Sequence, residues 1–202
     1  MNQLYCSLDF ETTGLNTQKD DPIQIGLLIF DETKTIHASY SSLIKPSKSL
    51  TELKEIVQYV TGFEISHLQY APSPKEVFAQ VAEYIINKNL IFIGHNVAFD
   101  LAILQRFLPQ RTPQASIDTF DCARQLLHFQ QSYALDAIIH LDQQQQLGIF
   151  TTIQGKAHDA LYDATASMQL FLRWYGQTKK LASKYPVLKL LLVKNKISAH
   201  IA

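Results

Sequence analysis

The chain has 202 residues, 47% hydrophobic and 18% charged, with 18 basic and 18 acidic residues and no formal net charge. That length fits one α/β domain with a core able to stand alone. The neutral balance argues against indiscriminate gripping of long nucleic acid, and two cysteines, Cys6 and Cys122, are too few for a disulfide framework or a thiolate metal site. No apolar run is as long as a membrane span and the N-terminus shows no signal pattern, which predicts a cytoplasmic protein with no membrane partner.

In chain order, "QLYCSLDF" (3–10), "IQIGLLIFD" (23–31) and "IHASYSSLI" (36–44) are β-rich runs, with Asp31-Glu32-Thr33-Lys34 as a tight connection between the last two. They predict an antiparallel meander. Ser49 with Glu52 suggests a capped helix over 51–60. A stronger start follows in "SPKE" (73–76), where Ser73 caps, Pro74 takes the first helical position and Glu76 closes a capping box. "LIFIGHN" (90–96) reads as a buried strand and "VAFDLAILQRFL" (97–108) as a helix stopped by Pro109. "ASIDTF" (115–120) reads as another strand, with Asp118 holding a strand end. Helices are expected near 121–129 and 133–141, a loop or helix end at Gln143–Gln146, and a helix over 157–175.

Charge is distributed unevenly along the chain. Every Asp and Glu lies at or before Asp163, while Arg173, Lys179, Lys180, Lys184, Lys189, Lys194 and Lys196 follow it with no acid among them. A tail of +7 trails a body of −7. It can steer a polyanion locally, or it can be a solvated face that offsets the body. The expected organisation is a main domain over 1–176 and a basic helical extension over 177–202.

The segment "CSLDFETTGLN" (6–16) places Asp9 and Glu11 in a strand of core character, and Lys19 is the nearest basic residue in sequence. Buried carboxylates without a partner cost several kcal/mol. Side chains two apart on a strand share a face, about 6.5–7 Å apart. Asp100 opens a helix after a second strand, and Asp163 lies early in another helix. Four carboxylates from three segments suit two Mg²⁺ or Mn²⁺ ions, which take hard oxygen ligands and would supply the missing positive charge. Residues five apart on a helix are rotated by roughly 140°, so His158 belongs on the approach to its helix if it is to face the same site as Asp163. An imidazole there can accept a proton from an attacking water.

"DFETTG" (9–14), "GHNVAFD" (94–100), "IDT" (117–119) and "AHDALYD" (157–163), in this order and spacing, resemble the motif set of the DnaQ-like, or DEDDh, 3′–5′ exonucleases. The resemblance runs from Asp9 to about Ala166 and includes "VTGFEISHLQYAPSPKEV" (60–77), where Phe63 and Glu64 depart from the usual Ile and Thr. It implies a ribonuclease H-like α/β fold: a mixed five-stranded sheet, antiparallel meander plus parallel strands, flanked by helices. It also implies hydrolysis of phosphodiesters from the 3′ end, releasing nucleoside 5′-monophosphates. By position, Asp9, Glu11 and Asp163 resemble ligands of the ion that activates water. Asp9 would bridge to a second ion, which Asp100 also reaches. His158 resembles the general base, and Asp159 stands where a related branch has Tyr. Thr12, Thr13 and Gly14 would contact the 3′ nucleotide, Leu15 would wedge against bases, and His95 and Asn96 would lie near the terminal nucleotide. Phe99 would pack in the core or touch a base. The implied partner is nucleic acid with a free 3′ end, single-stranded DNA first, and a polymerase or repair protein alongside. An exoribonuclease and a catalytically silent docking module are the competing readings.

Overall fold

The computed structural model describes residues 3–47, 65–86, 89–110, 115–127 and 131–184. The helix expected at 51–60, the departures at Phe63 and Glu64, and the tail beyond Lys184 lie outside the described residues.

Five strands form one sheet: β1 (Leu4–Thr12), β2 (Pro22–Asp31), β3 (Ile36–Leu43), β4 (Leu90–Gly94) and β5 (Ser116–Asp118). Their order is β3-β2-β1-β4-β5. The β1–β2 and β2–β3 pairings are antiparallel, and β1–β4 and β4–β5 are parallel. The meander therefore supplies three of the five strands of a mixed sheet, and β1 is the central strand of that sheet. The continuous apolar run of β2 is buried along its whole length, as expected of a strand covered on both faces.

Alternation along β1 assigns each face its helices. Cys6, Leu8 and Phe10 point into a core with Val77, Phe78 and Val81 of α2 (Pro74–Ile85) and Ile103 and Leu104 of α3 (Val97–Phe107). On the other face, Tyr5 packs against Phe171 of the long helix α6 (Ala160–Lys184), with ring centroids 4.8 Å apart. The Ser7 hydroxyl donates to the Ala164 carbonyl at 2.7 Å. A third cluster joins Ala123 of α4 (Thr119–Leu126) and Ile138 of α5 (Leu135–Gln145) to Leu170. A short helix, α1 (Ile65–Gln69), precedes α2.

Element ends moved where side chains compete for backbone groups. The Ser73 capping box at α2 forms as read. The 115–120 run is a strand only to Asp118, because the Asp118 carboxylate accepts from the Phe120 N–H at 2.9 Å and starts α4. β4 stops at Gly94, and Asn96 adopts a left-handed conformation, φ 71°, in the turn that follows. α5 absorbs Gln143 to Gln145 and ends on Gln146 at φ 51°. α6 begins at Ala160 rather than 157 and runs unbroken past residue 176, where a boundary was expected. Both cysteines are buried thiols. Among the described residues, no helix is long and apolar enough to cross a membrane.

Candidate active site

β1 outruns β4. Their pairing ends at Ser7 with Ile93, while β1 continues to Thr12. The upper half of β1 thus has N–H groups with no strand on that side. Asp100, buried in the first turn of α3, fills one such place: its Oδ1 accepts from the Phe10 N–H at 2.9 Å. This bond satisfies a buried donor and sets the Asp100 carboxylate beside Asp9.

On the other side of β1, Asp9 is paired with Gly26 and Glu11 with Gln24. A Cβ on Gly26 would stand 2.3 Å from the backbone of Ala160 and Leu161. Only a glycine lets α6 lie this close to the sheet, and this contact delivers Asp163 to the carboxylates of β1. Gln24 guides the same approach. Its Oε1 accepts from the Ala160 N–H at 3.0 Å and its Nε2 donates to Asp159 Oδ2 at 3.1 Å. Asp159 Oδ1 in turn accepts from the N–H groups of Leu161 and Tyr162, at 3.1 and 3.2 Å, which is how a carboxylate caps a helix start.

His158 sits ahead of that helix, exposed, at φ 64°. The left-handed turn aims its backbone N–H at Asp163 Oδ2, 3.0 Å away. Potential ligand atoms of Glu11, His158 and Asp163 all lie within 4.8 Å of one another. Asp9 and Asp100 are outside that trio, and Asp9 feels the charges of Asp100, Asp163 and Glu11. Burial, then these neighbouring acids, hold the Asp9 carboxyl well above the usual carboxylate range. Burial lifts Asp100 as well, against the pull of the Phe10 N–H. Glu11 is pushed up to about 7 by burial and by Asp163 and Asp159. Asp163 is pushed up to about 6 by burial, partly offset by its bond to His158.

Among the described residues no Lys or Arg forms an ion pair with any of these four acids; the arginine pairs lie elsewhere, at Asp21 and Asp121. Four crowded carboxyls with raised proton affinity and no cation make a donor set of hard oxygens suited to Mg²⁺ or Mn²⁺. Glu11, His158 and Asp163 are close enough to share one such ion, and Asp9 and Asp100 crowd in beside them.

A model of the exonuclease family RNase_T matches residues 6–171. The chain belongs to this family. It is the DnaQ-like, DEDDh group that the motifs resemble. Among relatives of this exonuclease domain, the PolC-type DNA polymerase III of Thermotoga petrophila is 32% identical over 184 residues, covering 89% of this chain and 12% of that protein. The 3′-5′ exonuclease DinG of Staphylococcus aureus is 32% identical over 183 residues, covering 88% of this chain and 19% of that protein. The chain thus spans less than a fifth of the length of these relatives. Two solved exonucleases share the fold. Exonuclease X, in complex with 5′ overhanging duplex DNA, superposes with a TM-score of 0.62 at 20% identity, over 86% of this chain and 92% of its own. The nuclease domain of 3′hExo, bound to rAMP, gives 0.64 at 15% identity, over 87% and 93%.

The expected substrate contacts of the exonuclease domain are not all alike. Leu15 is 89% exposed. Thr12 and Thr13 are turned inward: the Thr12 hydroxyl donates to the Gly14 carbonyl at 2.6 Å, and Thr13 Oγ1 accepts from the Asp21 N–H at 2.9 Å. A Cβ on Gly14 would crowd the Asp20 carboxylate, which accepts from the Asn16 N–H, and push it aside. Asn96 is exposed and gives its N–H to Asp118 Oδ1 at 3.0 Å. Phe99 packs partly buried against the first core. His95, read as a substrate neighbour, has both ring nitrogens engaged inside the protein. Nε2 lies 2.8 Å from the Tyr133 carbonyl and Nδ1 3.0 Å from Thr119 Oγ1. A carbonyl only accepts, so Nε2 carries a proton and no ring nitrogen is left for a nucleotide.

Sequence reasoning missed Gln24, Gly26 and the capping role of Asp159. A polar residue and a glycine inside an otherwise apolar strand were the available signals for the first two. An Asp immediately before a helical run was the signal for the third.

Proposed function

We propose that this domain is a metal-dependent 3′–5′ exonuclease that hydrolyses phosphodiester bonds from the 3′ end of DNA and releases nucleoside 5′-monophosphates. The observation that carries the reading is the convergence of Asp9, Glu11, Asp100 and Asp163 with no basic partner among the described residues, and with His158 against Glu11 and Asp163. Bound Mg²⁺ or Mn²⁺ would supply Lewis acidity at the phosphoryl oxygens and make water a stronger nucleophile at neutral pH. His158 is the general base, exposed enough to exchange its proton with solvent afterwards. It takes a proton from the attacking water as the water oxygen bonds to phosphorus. The bond from phosphorus to the 3′ oxygen of the preceding nucleotide breaks, and that oxygen collects a proton from solvent. Leu15 and Asn96 face the terminal nucleotide with their side chains, and Thr12, Thr13 and Gly14 offer it backbone groups.

Single-stranded DNA is the proposed substrate, a polymerase or repair protein the proposed partner, and the cytoplasm the proposed location. The exonuclease unit is assigned to 1–176 and the basic extension to 177–202. Digestion of 5′-labelled single-stranded DNA, duplex DNA and RNA with Mg²⁺ or Mn²⁺ tests the reading, reporting polarity, product and sugar preference together. A ladder shortening from the 3′ end, with 5′-monophosphates released from DNA, supports it. Preferential loss of RNA moves the assignment to an exoribonuclease. No cleavage under any of these conditions leaves the docking module as the better description.

A further inference from the structure

Leu15 stands almost wholly in water on a loop that is far from loose. The segment between β1 and β2 closes on itself through Lys19 and Asp20 N–H groups on the Asn16 carbonyl, at 3.0 and 2.8 Å. Asp20 Oδ2 accepts from the Asn16 N–H at 2.9 Å. Asp21, buried at the loop's exit, accepts from the Ser47 N–H and hydroxyl at 2.8 and 2.7 Å. α3 ties into this loop through Arg106. Its NH1 donates to the Thr17 carbonyl at 2.7 Å and to the Asp20 carbonyl at 2.9 Å, and its NH2 lies 3.8 Å from Asp21 Oδ1. The guanidinium is held in turn over the Phe107 ring, 4.6 Å from its centroid.

A forked cation spanning two carbonyls and a carboxylate fixes backbone far better than a single contact. Ordering a loop costs conformational entropy, and here the ordered product is one apolar side chain held out in water just past the end of β1. Apolar groups in that position are useful against the faces of bases. α3 also carries Asp100, six residues or about 9 Å earlier along the axis, so one rigid element fixes both a site carboxylate and the loop.

We propose that Arg106 is a positioning residue: it locks the 13–21 loop to α3 so that Leu15 meets the base of the preceding nucleotide, on the leaving-group side of the scissile phosphate. This rests on the exonuclease reading above. It follows that Arg106 matters for substrates whose leaving group is a nucleotide with its base and much less for a substrate whose leaving group carries no base.

The test compares wild type, Arg106→Gln, Arg106→Lys, Leu15→Ala and the Arg106→Gln/Leu15→Ala double variant. The two substrates are a 5′-labelled single-stranded DNA oligonucleotide and the p-nitrophenyl ester of thymidine 5′-monophosphate, with saturating Mn²⁺. Arg106→Gln is expected to raise KM for the oligonucleotide about tenfold, the scale of a small misplacement, with a several-fold smaller loss on the ester. In the Leu15→Ala background the same change should add less than about twofold, because the two residues act as one unit. Arg106→Lys keeps the charge near Asp21 and so keeps the fold, but one ammonium cannot replace the fork, and KM should still rise. Equal losses on both substrates, or multiplicative losses in the double variant, overturn the inference while leaving the exonuclease reading intact. Wild-type protein that turns over neither substrate overturns both.

Discussion

The Phe10 N–H donates to Asp100 Oδ1 at 2.9 Å, and this bond gives one carboxylate two separable roles. As an acceptor, Asp100 ends the pairing of β1 where β4 falls short. As a charge, it crowds Asp9. Asp100→Asn retains an acceptor and removes the charge; Asp100→Ala removes both. Metal-free Asp100→Asn should melt at or above the wild-type temperature yet lose at least about 10² in kcat. Asp100→Ala should be less stable than Asp100→Asn by about 1–3 kcal/mol, the cost of a stranded buried N–H. Equal melting temperatures for the two variants would show that the Phe10 bond contributes nothing to stability.

Gly26 tests the seat of α6. A methyl group there overlaps main chain, which cannot rotate away as a side chain can. Gly26→Ala should cost about 3 kcal/mol, roughly 6–12 °C in Tm at this chain length. Activity measured well below the lowered Tm should still be depressed, because His158 and Asp163 move with the helix. Wild-type kinetics in the folded variant would show that the close approach is not needed for the site.

Protons and metal should compete. In the metal-free fold Glu11 titrates at about 7 and Asp163 at about 6, both above their unfolded values. The folded chain then holds protons that the unfolded chain has released, so stability falls as pH rises from about 4 through 7. The contribution is fully present below about pH 4 and lost above about pH 7. A divalent ion must displace those protons, and the gain in Tm from Mg²⁺ or Mn²⁺ should be small at pH 5 and large at pH 8. Calorimetry at the two pH values measures it; a pH-independent gain would place the ion away from these acids.

Base and ligand should separate by mutation. Asp163→Ala should weaken metal binding, followed by Mn²⁺ titration, as well as turnover. His158→Ala should keep metal affinity and lose about 10²–10⁴ in kcat. The rising acid limb of the wild-type pH–rate profile should be absent from His158→Ala. Near-normal turnover of His158→Ala at pH 8 with metal saturating would remove His158 as the base.

The basic end of the chain should act on affinity. Substituting Lys179, Lys180 and Lys184 with Ala should raise KM for single-stranded DNA and flatten its salt dependence, with kcat little changed. Unaltered KM and salt slope would make these lysines a solvated face.

The acids were legible in the sequence because Asp9, Glu11, Asp100 and Asp163 sit in short local patterns whose strand and helix contexts could be read separately. The meander and the parallel strands were legible for the same reason: runs such as "IQIGLLIF" carry their own signal. Gln24 and Gly26 were not, because their meaning lies in Ala160, which only the tertiary fold brings to them. What holds the His95 ring was not legible either, because motif position says which turn it occupies, while the partners of its two nitrogens come from Thr119 and Tyr133, 24 and 38 residues away. The end of α6 escaped too: basic residues on a helix face look the same whether the helix stops at 175 or runs to Lys184.

The union of β1 with α6 has a consequence for biosynthesis. Ser7 and Ala164 are 157 residues apart, yet one hydrogen bond joins them directly below the acids. Asp9 and Glu11 are synthesised with β1, the first described strand, and His158 and Asp163 only after β5, the last. The cluster of acids is therefore completed as a single late event, when α6 has been made and closes over Gly26.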